Sequence, residues 1–408
     1  MRTIVHCDLN NFYATVEMLK NPDLRGKAIA VCGDPAERSG IVLAKSEPAK
    51  KCGVKTGMPN WQAKQLCPDI IIVMPHHNDY SRYSKIVQQI YYRYSDLVES
   101  FGGDECWIDI TNSMDLLRRD HGITNGREFA DHLRQVVFDE TGLTISAGVS
   151  WNKTFAKLGS DYKKPDATTE INKDNYKQIV WPLPASSMLY VGRKTFAHLE
   201  RLNIKTIGDI ANANPEMLKG HFGINANKMV QMARGEDAEP VSSFIQKREI
   251  KSVGNGTTLP HDLTKLCEVN QVVYLLSEEV AWRLRKKDYK GTTVSLSVRG
   301  TNLEWSGAQE TISIPTNSSK TIHEIAMKIF EKHWKLPTPV MSLRVAVSNL
   351  TRDTRSQMSL FDTGQEERND KISNVFDTVR KKYGTKSIAF ATAVHGEFNM
   401  QFEVLDEF

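Results

Sequence analysis

A chain of 408 residues with 40% hydrophobic and 25% charged residues is globular in composition, and at roughly 150 residues per domain it holds about three domains. The formal charge of +4 is too small to name a partner, but residues 241–356 carry 17 Lys and Arg against 11 Asp and Glu, a net of +6, which leaves −2 for the rest. A basic segment joined to a slightly acidic one fits polyanion binding beside an acidic metal site. The six cysteines form no C-x-x-C pair and no zinc spacing with histidine, which excludes a disulfide scaffold and a zinc module. Reduced thiols, an N-terminus without a hydrophobic signal region and aliphatic runs too short to span a bilayer predict a soluble cytoplasmic protein with no membrane role.

Residues 3–8 read as a buried strand that ends at Asp8. Asn10 or Asn11 is placed to cap a helix running to about Lys20. Asp8 is then either part of that cap or one of a group of carboxylates. Residues 21–75 predict a small inserted subdomain with strands at 28–31 and 40–44 and short helices at 47–52 and 60–66, broken by Gly53, Gly57 and Pro59. Its lysines, Lys45, Lys50, Lys51 and Lys55, are either solvated or set to meet a triphosphate. Tyr80, Tyr83, Ile86, Val87, Ile90, Tyr91, Tyr94 and Leu97 recur at helical spacing and predict an amphipathic helix packed on a sheet.

A hairpin follows at residues 101–111, and its second strand starts at the acidic pair Asp104 and Glu105. Alternation along a strand makes those two side chains diverge unless something such as a divalent cation draws them together. Acids beside glycines are otherwise ordinary turn chemistry. If Asp8 faces them across a sheet, their mutual repulsion raises their pKa values unless cations compensate, and Mg²⁺ favours such oxygen ligands. A helix at 127–140 and a strand at 143–149 complete a βαββαβ pattern, an antiparallel sheet with two helices on one face. A short helix at 152–161 is stopped by Pro165, which fixes Lys164 in extended geometry near the sheet's end.

The run His6-Cys7-Asp8-Leu9-Asn10-Asn11-Phe12-Tyr13-Ala14-Thr15-Val16-Glu17, the Asp104-Glu105 hairpin, and Asn152 to Asp161 with Lys163-Lys164-Pro165 resemble, in order, the palm motifs of Y-family translesion DNA polymerases. Between them, Ser46-Glu47-Pro48-Ala49-Lys50 is similar to the UmuC-like branch more than to the DinB (polymerase IV) branch. The resemblance runs from residue 1 to about residue 350. It implies an α+β, multidomain right-hand polymerase, with a palm at 1–20 and 76–165, fingers at 21–75, a helix-hairpin-helix thumb at 166–240, a little finger at 241–350 and a tail at 351–408.

The same resemblance implies that Asp8, Asp104 and Glu105 are catalytic and hold two Mg²⁺ ions, with the Leu9 carbonyl as a further ligand. Tyr13 is the implied steric gate against a ribose 2′-hydroxyl, and Phe12, Ser46, Lys50 and Lys164 are implied nucleotide contacts beside it. Primer–template DNA and dNTPs are the implied substrates, in SOS-type damage tolerance. Two departures stand out. Glu47 and Lys50 occupy positions where many members have Tyr and Arg, and a lysine cannot reproduce a bidentate guanidinium contact. Gly102-Gly103 replaces the usual Ser-Ile, which is expected to loosen the hairpin.

Gly192, Arg193 and Lys194, and later Gly223, resemble the thumb's helix-hairpin-helix turns, where backbone N–H groups approach phosphate. The expected DNA-binding cluster of the little finger is Arg283, Arg285, Lys286 and Lys287 with Lys290, and a solvated helix face is the alternative. Gln357-Met358-Ser359-Leu360-Phe361 resembles the bacterial sliding-clamp motif, with Gln357, Leu360 and Phe361 as anchors. A UmuD-like subunit is a further partner the resemblance raises. Two other classes remain open from sequence: a catalytically weak or inactive DNA- and clamp-binding accessory protein of the same fold, and a metal-dependent nuclease, which fits the acids but not Tyr13 or Lys164-Pro165.

Overall fold

Every residue of β1 (Ile4–Leu9) is buried, as befits a strand whose sheet is covered on both faces. The computed structural model describes residues 2–34, 40–243, 249–352, 365–384, 387 and 388, and the chain divides into two units between Lys247 and Arg248. In the first unit β1 leads into α1 (Phe12–Lys20) through Asn11, which is left-handed with φ 50° and makes no side-chain cap. The expected Asn cap is therefore missing. Asn10 instead accepts from Ser146 Oγ at 2.8 Å, and Asn11 Nδ2 donates to Glu47 Oε1 at 3.1 Å.

The inserted subdomain comprises β2 (Ile29–Cys32), β3 (Val42–Lys45), α2 (Glu47–Lys51), α3 (Asn60–Leu66) and β4 (Ile71–Val73). Its three strands are ordered β3-β2-β4, with β4 parallel to β2. The sequence pattern predicted all of these except β4, which is only three residues long.

The chain then runs through α4 (His77–Tyr92), β5 (Val98–Ser100), β6 (Glu105–Asp109), α5 (Met114–His121), α6 (Gly126–Thr141), β7 (Ile145–Ser150), α7 (Lys153–Tyr162) and β8 (Thr168–Glu170). With β1 these strands form a five-stranded sheet ordered β5-β6-β1-β7-β8, antiparallel except for β7 with β8. Period-two alternation sorts its side chains. Val5, Cys7, Leu9, Cys106, Ile108, Ile145, Ala147 and Val149 share one core with α4 and α6, as expected. The opposite face carries His6, Asp8, Glu105, Trp107, Ser146 and Gly148 in register, and α7 covers it. Gly148 lets it do so, because a methyl group there would lie 1.9 Å from the Ala156 carbonyl oxygen.

A helical region follows: α8 (Tyr176–Ile179), α9 (Arg193–Arg201), α10 (Ile207–Asn212), α11 (Pro215–Phe222) and α12 (Asn225–Arg234). Thr206 and Asp209 form a capping box on α10. Trp151 and Phe155 join this region's core, and a buried Lys153–Glu99 pair at 2.8 Å, with Glu239 at 3.3 Å, ties the segment after α12 to the sheet.

The second unit is β9 (Ser252–Leu263), α13 (Leu266–Lys286), β10 (Lys290–Gly300), β11 (Trp305–Thr316), α14 (Ser319–His333), β12 (Val340–Thr351) and α15 (Gln365–Tyr383). Its sheet is antiparallel in the order β11-β10-β12-β9, and α13 and α14 pack on one face. α15 docks through two ion pairs, Arg380 Nη2 to Glu278 Oε1 at 2.9 Å and Arg285 Nε to Asp377 Oδ2 at 2.6 Å. Glu278 is buried and Arg380 partly so, and burial raises the Glu278 pKa against the pull of Arg380. Arg380→Ala therefore leaves a buried carboxylate unpaired and is expected to cost this unit about 3 kcal/mol. Chemical denaturation measures it, and adding Glu278→Gln should recover most of the loss.

Candidate active site

Asp8 pairs in register with Glu105 across β1 and β6, so their side chains leave the sheet side by side on the face that α7 covers. Asp104 sits one residue before β6, and its carbonyl accepts from the Leu9 N–H at 3.0 Å. Asp104 thus lies just outside the strand that carries Glu105, and this backbone bond ties it to the end of β1 beside Asp8. The preceding turn is not loose. Gly102 adopts φ 88°, a left-handed conformation that glycine enters without strain. Ser100 Oγ donates to the Gly102 carbonyl at 2.8 Å and Phe101 N–H to the Glu105 carbonyl at 2.8 Å, so backbone and hydroxyl contacts brace the hairpin in place of side chains at 102 and 103.

Two ammonium groups hold the acids. Lys164 Nζ lies 2.7 Å from Asp8 Oδ2 and 2.7 Å from Asp161 Oδ1, and Lys157 Nζ donates to Glu105 Oε2. His6, fully buried two residues before Asp8, places Nε2 3.2 Å from Glu105 Oε2 and Nδ1 2.8 Å from Ser160 Oγ. Burial pushes the Asp8 carboxyl up to about 7 despite Lys164, with the Glu105 and Asp104 charges adding to the rise. Burial and the Glu105 charge likewise raise Asp104. Burial alone would raise Glu105, but His6 and Lys157 overcome it and take that carboxyl down to about 2.

The donor set suits a hard divalent cation: three carboxylates at adjoining strand ends, Asp8 buried, Glu105 partly buried and Asp104 exposed, whose charges already push on one another. As the side chains stand, no three Asp, Glu, His or Cys groups among the described residues gather about one point. Asp8 is turned to Lys164 and Glu105 to Lys157.

Phe12 is buried in the core and Tyr13 is partly buried, its ring stacked on Tyr80 at 3.9 Å with 12° between planes. Ser46, an expected nucleotide contact, is buried and turned into the inserted subdomain. Its hydroxyl accepts from Ile29 N–H and donates to the Lys27 carbonyl, both at 2.9 Å, and caps α2. Lys50 is half-exposed, 3.5 Å from Glu47. Lys164, expected at a triphosphate, is here paired with Asp8.

Gly192 and Gly223 are exposed at the start of α9 and the end of α11, and Arg193 and Lys194 are exposed on the first turn of α9. The cluster on α13 is spent differently from the expectation. Arg283 binds Glu279 at 2.7 Å and Arg285 binds Asp377, so neither is a free phosphate contact, while Lys286 lies over the Trp282 ring at 5.1 Å and Lys287 is half-buried. The pattern that sequence reasoning missed is on the sheet. Gly256, Arg344, Ser297 and Gly307 form one cross-strand row on the side away from the Leu296, Leu343 and Val345 core. Gln357, Leu360 and Phe361 lie outside the described residues.

The model of the impB/mucB/samB family matches residues 7–161 and that of its C-terminal domain residues 250–360. Over 95% of this chain and 96% of its own length, DNA polymerase IV of Acetivibrio thermocellus is 42% identical. The chain belongs to the impB/mucB/samB family, the Y-family DNA polymerases. DNA polymerase IV 1 of Bacillus subtilis is 36% identical over 95% of this chain and 92% of its own. DNA polymerase IV 2 of Halalkalibacterium halodurans is 33% identical over 96% and 95%. These relatives bear the polymerase IV name, against the UmuC-like leaning of Ser46-Glu47-Pro48-Ala49-Lys50. The fold agrees: a solved Y-family DNA polymerase chimera superposes with a TM-score of 0.75 over 86% of this chain and all of its own, at 22% identity. This Y-family chain is a DNA-directed DNA polymerase, a nucleotidyltransferase, and dependence on divalent metal comes with the family. Among the described residues no helix is long and apolar enough to cross a membrane.

Proposed function

We propose that this polymerase performs translesion synthesis on primer–template DNA, with the five-stranded sheet as palm, the inserted subdomain as fingers, the helical region at residues 171–240 as thumb, since β8 (Thr168–Glu170) carries the palm sheet past the expected boundary at residue 165, and the second unit as little finger. The in-register pair Asp8 and Glu105, with Asp104 bonded to Leu9, is the observation that supports it most. Held by Asp8, Asp104, Glu105 and the Leu9 carbonyl, two Mg²⁺ ions would stabilise the charge on the primer 3′-oxygen and on the leaving pyrophosphate. The chain's own residues do the rest. Lys157 fixes the Glu105 carboxylate, and Lys164 keeps Asp8 paired until the site is filled. The Tyr13 ring, backed by Tyr80, closes the space a 2′-hydroxyl needs. Lys50 supplies positive charge to the triphosphate.

Backbone N–H groups beside Gly192 and Gly223 serve phosphates of the duplex, and the small-residue row around Arg344 lets a strand of DNA lie close to the little-finger sheet. The segment Gln357 to Phe361 is the proposed sliding-clamp anchor.

Primer extension with Mg²⁺ and dNTPs, on undamaged and abasic templates, tests this reading. Templated growth past the lesion is expected. Primer shortening would point to a nuclease, and binding without growth to an accessory protein. In the same assay Tyr13→Ala should raise ribonucleotide incorporation at least about tenfold, since one lost steric contact is worth over 1.4 kcal/mol. Unaltered discrimination would make Tyr13 a packing residue only.

A further inference from the structure

Glu47 is an acid on the helix that carries Lys50, where repulsion of a triphosphate is the simple expectation. One of its oxygens has two partners. Oε1 accepts from Asn11 Nδ2 at 3.1 Å and lies 3.5 Å from Lys50 Nζ. Asn11 is three residues beyond Asp8 and next to Phe12 and Tyr13, at the left-handed corner where β1 turns into α1. Glu47 therefore joins the inserted subdomain to the catalytic corner and occupies the lysine proposed to meet the nucleotide. Lys45 belongs to the same charge group: its Nζ contacts Thr56 Oγ1 at 3.2 Å, and burial and the Lys50 charge lower its pKa while Glu47 raises it.

The geometry points to Glu47 as a positioning residue that sets nucleotide affinity, an internal anion that the incoming triphosphate must displace from Lys50. The inference rests on the reading of Lys50 as a triphosphate contact. Without nucleotide, Glu47 keeps Lys50 folded back on α2 and holds α2 to Asn11. A triphosphate carries more charge than one carboxylate, so the ammonium transfers to it and Glu47 retains only the Asn11 hydrogen bond. The resident anion subtracts from binding and leaves the chemical step alone. The Glu47 and Lys50 side chains are 34% and 48% exposed, so solvent screens the pair and the effect is modest.

Steady-state primer extension with dNTPs tests this. Glu47→Gln keeps an acceptor for Asn11 and removes the charge. It should lower KM for dNTP about two- to fivefold with kcat unchanged, within the range of an exposed ion pair. In a Lys50→Ala background the same substitution should leave KM unchanged. An unchanged or raised KM, a shift in kcat alone, or a KM effect that persists without Lys50 would overturn the proposal and leave the polymerase reading intact. Failure of the unaltered chain to extend any primer would overturn both.

Discussion

Asp104→Ala and Glu105→Ala should each reduce primer extension by about a thousandfold or more, the scale of losing a group that stabilises developing charge, and they should differ in stability. Asp104 has no ion pair among the described residues, and burial and the Glu105 charge both raise its pKa, so removing it relieves repulsion. Asp104→Ala is expected to be inactive and at least as stable as the parent. Glu105 is the opposite case. It faces Lys157, 17% exposed, and the fully buried His6, and its truncation leaves the largely buried Lys157 ammonium only a 3.8 Å contact with Asp161, at a cost of about 2 kcal/mol. Single-turnover extension, equilibrium DNA binding and thermal melting on the two variants separate the effects. Both should keep DNA affinity within about twofold, because the proposed phosphate contacts lie elsewhere. Normal extension by either variant would remove that residue from the site, and equal stability losses would contradict the different surroundings of the two acids.

The contrast also shows where local pattern stops being informative. Alternation in β1 and the Gly-Gly-Asp-Glu turn are short-range signals that located Asp8 and the acidic pair, and helical spacing located α4 and α6 on one face of the sheet. Pairings distant in sequence were not legible. Lys164 meets Asp8 across 156 positions and Arg285 meets Asp377 across 92. Nothing beside either lysine or arginine marks its charge as already taken. The resemblance puts Ser46 at the nucleotide, yet a serine just before a helix is first a cap, and here it also bonds the Ile29 N–H of β2. His6 did carry a usable signal: it is two residues before Asp8 on the same strand and so shares its face. α5 and β8 went unread because eight and three residues give too little periodicity to register.

Gly148→Ala is expected to be the most damaging single methyl group in the sheet. That methyl would stand 1.9 Å from the Ala156 carbonyl oxygen and 2.3 Å from the Ser160 amide nitrogen, and both are backbone atoms of α7 that no rotamer change can move. The helix must lift from β7. α7 carries Lys157 and Ser160, which hold Glu105 and His6, together with Asp161, which steadies the Lys164 that holds Asp8. Its first turn holds the segment after α12, through Lys153 to Glu239 and Thr154 Oγ1 to Asp237 at 2.8 Å. Raising it therefore disturbs both acids and the attachment of the helical region together. Overpacking against backbone should cost about 3 kcal/mol, and an ångström of misplacement at the acids should lower extension about a hundredfold even where the protein is fully folded. Gly159→Ala supplies the graded control, because its methyl meets nothing closer than the Gly148 Cα at 3.0 Å. It should lose less of both. Denaturant titration and extension measured well below the melting temperature decide the matter, and a Gly148→Ala variant with parental stability and rate would show that α7 does not seat on β7 as described.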